Sequence, residues 1–183
     1  MSHSPRIVRG LAAGLILNLA CAALVAASQP GPAYLAVDAW SAAASSNNTV
    51  RLSATTNGSI PKSPDEFISG NAIVGIAWAD LGTATALVAT IHPVIGRDSN
   101  QRPGQWHVHT VQLAGGATAP NDFCLVAVVT TPTAGIRIQG STMTIDLSAD
   151  KLPVPVGAID AAVGFTVHGD DACGSGFGVR LRT

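Results

Sequence analysis

From residue 49 onward the chain runs in short stretches of alternating apolar and polar positions, bounded by Gly, Pro, Asn and Asp clusters. Residues 49–56 (TVRLSATT) put Val50, Leu52 and Ala54 on one side, the period of a half-buried strand. Residues 71–80 and 83–92 are apolar runs either side of Leu81-Gly82, which predicts a hairpin. Further strands are predicted at 105–113, 123–130, 135–139, 142–147, 159–168 and 177–182, with Gly140-Ser141 as a second hairpin turn. Eight or nine short strands without a helical period predict an all-β domain, a single antiparallel Greek-key sandwich or barrel. The composition agrees, since Ala, Val, Thr and Gly abound and Glu66 is the one glutamate.

The N-terminus reads differently. Arg6 and Arg9 precede an almost wholly apolar stretch over 11–27, followed by Ala26, Ala27 and Ser28. Basic, apolar and small residues in that order predict a secretory signal peptide over 1–28, with an uncleaved membrane anchor as the alternative. Residues 29–48, rich in Pro, Ala and Ser, are expected as a flexible lead-in, and 49–183 as the folded domain.

Removing the signal leaves eight Lys and Arg against eleven Asp and Glu, a net charge of −3. No basic patch remains, which argues against nucleic acid and anionic membranes as partners. Cys124 and Cys173 form an even pair once Cys21 is gone, and export predicts a disulfide between them; two buried free thiols are the alternative.

Candidate chemistry lies in residues 105–113, QWHVHTVQL. His107 and His109 are two apart, so on a strand both imidazoles leave one face. Pairing of 83–92 with this strand would bring His92 opposite or near His107. His168 ends another predicted strand. His107, His109 and His168 would make a three-imidazole set with an open position, suited to copper or zinc, with His92 a neighbour of the site. The plain alternative is an HxH pair that only hydrogen-bonds to its surroundings. A cupin-type site would want a glutamate downstream of the HxH pair, and Glu66 is upstream.

These residues resemble Cu,Zn superoxide dismutases. Residues 105–112 are similar to the G-F-H-V-H copper-ligand strand of that family, VGFTVHGDD over 163–171 to its later copper-ligand segment, and Gly178-Val179-Arg180-Leu181 to its G-S-R-L segment. The resemblance implies a superoxide dismutase-like fold with His107, His109 and His168 as copper ligands. It also implies Arg180 as the guide for a small anion such as superoxide, and the two cysteines as the intrasubunit disulfide. Asp170 and Asp171 would orient a ligand from behind. No histidine lies between His109 and His168, so the bridging and zinc ligands of that family are missing and a copper-only site is implied. The stretch 52–75 with the HVH strand also resembles the CHRD domain, a secreted β-domain with a similar H-I-H strand. Three functions follow as expectations: an exported copper dismutase, a copper or zinc binder without turnover, or a metal-free CHRD-like interaction domain. A homodimer is left open.

Overall fold

The computed structural model describes residues 32–45, 47–63, 72–93, 104–115 and 122–182. The predicted signal peptide lies outside them. Ten strands are formed: β1 Val37–Ala44, β2 Thr49–Thr56, β3 Ile73–Asp80, β4 Thr85–Ile91, β5 His107–Ala114, β6 Asp122–Thr130, β7 Gly135–Gln139, β8 Thr142–Ser148, β9 Ala161–Gly169 and β10 Phe177–Arg182. Every pairing is antiparallel. Three 3₁₀ turns, at Ala33–Leu35, Ala149–Lys151 and Val156–Ala158, are the only helical residues described.

The strands divide into a four-stranded sheet, ordered β1-β2-β8-β7, and a closed six-stranded barrel, ordered β10-β6-β5-β4-β3-β9. The all-β antiparallel expectation stands, but the single sandwich becomes a sheet packed on a barrel. β1 and the turn before it fall within the segment expected as a flexible lead-in, and correct that boundary. β1 escapes sequence reading because it is a short edge of Ala, Ser and one Trp, largely exposed, and carries no apolar alternation.

Period-two alternation builds two cores. On one parity, Val74, Ile76 and Trp78 of β3, Leu87 and Ile91 of β4 and Val108 of β5 leave the barrel wall. They pack against Val50 and Leu52 of β2 and Met143, Ile145 and Leu147 of β8. Trp78 Nε1 spans that interface and donates to Ser53 O at 3.3 Å. On the other parity, Ala77, Ala86, Val88, Val111, Phe165 and Val179 face into the barrel. The 3₁₀ turn at Ala33–Leu35 seats on β9 at Gly164, where a Cβ would come within 1.9 Å of Leu35 O. Only glycine admits that approach.

Candidate metal centre

β4 and β5 pair with Val88 opposite His109 and Thr90 opposite His107. His92 follows β4 directly, two residues past Thr90, so it keeps the inward parity of Val88 and Thr90. His107 and His109 share the inward parity of Val111. All three imidazoles are buried at the same end of the barrel, 7–8% exposed. One ligand atom from each lies within 4.8 Å of the others. The ring centroids of His107 stand 4.6 Å from those of His92 and 4.8 Å from those of His109, edge to face in both cases.

The hydrogen bonds fix which nitrogens converge. His107 Nδ1 lies 2.9 Å from Gln105 O, and His92 Nδ1 lies 2.5 Å from Pro93 O. A carbonyl only accepts, so both Nδ1 atoms carry protons. The Nε2 atoms of the two rings are 3.0 Å apart. A shared proton could bridge two of these nitrogens, and the three imidazoles together could hold a metal ion. His109 Nδ1 lies 2.9 Å from Thr131 Oγ1, a hydroxyl that can hold its ring from behind. Metal–nitrogen bonds of 2.0–2.1 Å in a tetrahedral set put ligand nitrogens about 3.3 Å apart, so small ring rotations close this cluster on an ion.

His168 stands elsewhere. Its neighbours on β9, Val163, Phe165 and Val167, pack inside the barrel, so His168 is out of phase and faces outward. There Nε2 lies 3.9 Å from Asp122 Oδ2 and 4.0 Å from Asp170 Oδ2, and the buried Nδ1 has no hydrogen-bond partner. Of the expected histidines the structure gathers His107 and His109 with their neighbour His92, and leaves His168 outside that group. The alternation over 163–167 was the available signal for it.

Arg180 also faces outward, directly across from Asp122. Its Nε and Nη2 donate to the two carboxylate oxygens at 2.9 and 2.8 Å. That fork holds the Asp122 carboxyl below its ordinary range, against the opposing effect of burial, with His168 and Arg182 adding to the attraction. Arg180 is in turn raised by Asp122. The guanidinium is committed to Asp122 on the outer face of the barrel wall, on the opposite strand parity from the inward imidazoles. Asp170 and the exposed Asp171 sit in the turn beside His168, away from the three-histidine cluster. Asp170 Oδ1 accepts from Ala172 N–H at 2.9 Å. Asp122, which anchors this outer group and is 1% exposed, gave no signal in the sequence.

The expected disulfide is present: Cys124 on β6 is bonded to Cys173 in the turn between β9 and β10. No helix among the described residues is long and apolar enough to cross a membrane. Compared with protein-family models, with curated proteins and with solved structures, the chain matches none.

Proposed function

We propose that this chain is an exported copper-binding β-domain whose ion is held by His92, His107 and His109. The observation that carries the reading is the pair of Nδ1 protons committed to Pro93 O and Gln105 O, which turns the Nε2 lone pairs of His92 and His107 toward one another beside His109. Backbone carbonyls behind ligand imidazoles are the usual way in which a metal site fixes its tautomers. The disulfide is compatible with an oxidising compartment.

Imidazole suits copper and zinc alike. The surroundings favour copper. Three neutral donors leave the full charge of the ion beside an apolar interior, and the Born cost of burial grows with the square of that charge. Copper(I) would meet about a quarter of the cost of a divalent ion. Zinc would keep its full divalent charge with water as its fourth ligand, and among the described residues the cavity wall holds no carboxylate to offset it. Among the described residues the cavity wall carries no Arg or Lys, and Arg180 is bound to Asp122, which weighs against superoxide as substrate. Metal binding without turnover is the better reading.

The test is metal analysis after dialysis against copper(I), kept reduced with ascorbate, and separately against zinc. The protein is expected to retain one copper per chain. The double variant His107→Ala, His109→Ala should retain none, and His168→Ala should retain one. Protein that emerges free of copper, or a His168→Ala variant as depleted as the double variant, would overturn the assignment.

A further inference from the structure

Six strands close a narrow barrel, and such barrels are ordinarily filled by their own side chains. This one is not. Along β3 and β4 its lining is Ile73, Ala77, Val88 and Thr90, and beside them lies a cavity of about 520 Å³. That volume lies within the range of sites for small organic ligands. Most of its wall is aliphatic or aromatic, including Val88, Val111, Leu125, Phe165 and Val179. Its polar groups are few: Thr90, Thr130 and Thr131, with His92 and His109 of the metal cluster.

The cavity also has a way in. β10 pairs with β6 only where 178–180 lie opposite 122–124, while it follows β9 along its whole length. Beyond that seam β6 continues with no strand on its β10 side among the described residues. There Val128 and Val129 are 51% and 59% exposed, and Phe177 is 39% exposed. All three also line the cavity, so its mouth is apolar. The Cys124–Cys173 bond and the hydrogen bond from Ser175 Oγ to Leu125 O fasten the tip of the β9–β10 hairpin to β6 beside the opening.

An apolar chamber with a ligating metal in its wall selects a particular chemistry. We infer that the barrel binds a small hydrophobic molecule carrying a single nitrogen or oxygen donor, whose apolar body fills the cavity while its donor completes the coordination of the copper. This rests on the copper reading above. Among the described residues the wall has no Lys, Arg, Asp or Glu, so desolvation of a charged or strongly hydrated ligand would go uncompensated.

The probes are imidazole and 4-phenylimidazole, which share a donor and differ by one phenyl group, titrated into copper-loaded protein by calorimetry. Burial of the phenyl ring should make 4-phenylimidazole bind at least about ten-fold more tightly than imidazole. Two variants probe the cavity itself. Ala77→Leu fills it from within, and Val128→Asp sets a charge at its exposed mouth, where the fold tolerates it. Each should reduce the ten-fold preference to two-fold or less while imidazole still binds. Protein that holds copper but takes both probes equally, or keeps its preference in both variants, would overturn the cavity ligand and leave the copper site standing. Protein that holds no copper would overturn both.

Discussion

Asp122 and Arg180 show what a single pair does at the residue scale. The carboxylate is 1% exposed and the guanidinium 38%, so the pair is buried on one side and wet on the other. Arg180→Leu should therefore destabilise by about 2 kcal/mol, less than a fully buried pair because solvent already screens the arginine. The pH dependence gives a sharper check. Because the fork lowers the folded-state value of Asp122, its stabilisation is complete above the ordinary carboxylate range and is lost as pH falls through the depressed value. His168, Arg182 and Asp170 face the same spot, and the variant keeps them. What the variant loses is the main partner, so its carboxyl is easier to protonate. Urea titrations should find the gap between wild type and variant widest near pH 7 and shrinking below pH 4. A gap that does not change with pH would mean that packing of the arginine stem, not its charge, holds the strands. Sequence reading singled out Arg180 for its resemblance to an anion guide. Nothing in the one-dimensional pattern pairs residue 180 with residue 122, since that depends on which strands close the barrel.

At the scale of elements, the seam between β6 and β10 is the weak point of barrel closure, and the disulfide sits on it. Cys124 and Cys173 are 49 residues apart, and a crosslink closing a loop of that length stabilises by about 4 kcal/mol in the chain-entropy model. The double variant Cys124→Ser, Cys173→Ser should lose most of that in a denaturant titration. Hydrogen exchange should show where: amides of β6 and β10 should lose protection before those of β3, β4 and β5. Uniform loss across all strands would put the effect in the unfolded chain alone. Most of the elements were legible from alternation and turn residues, because β2 to β10 each carry an apolar face or a flanking Gly, Pro or Asn signal. The β3–β4 hairpin was found through Leu81-Gly82, yet the residue there with positive φ is Ala84, at 53°. Gln112 donates to the carbonyls of Thr83 and Ala84 from the neighbouring strand, support that no local reading of the turn can contain.

For the molecule as a whole, the question is what the histidine cluster does to the fold. Three imidazoles are gathered at one end of the barrel beside a cavity of about 520 Å³, a local arrangement that costs packing. A site of that kind is stabilised by its occupant. The pairing of His92 with His107 was readable from the hairpin register, and the choice of His92 over His168 from strand parity. The cavity was not, because it depends on which faces of six strands turn inward together. An ion bound only by the folded state adds RT ln(1 + [L]/Kd), about 4 kcal/mol at a thousand-fold excess over Kd. For a domain of this size each kcal/mol moves the midpoint by about 2–4 °C, so copper should raise Tm by about 8–16 °C. His92→Ala should lose nearly all of that rise, because two imidazoles cannot enclose the ion, while His168→Ala should keep it. Binding of copper by the unfolded chain would reduce the rise in both variants alike, so the difference between them isolates the site. Equal rises in the two would place the ion outside the barrel and leave the cluster as a hydrogen-bonded group of imidazoles.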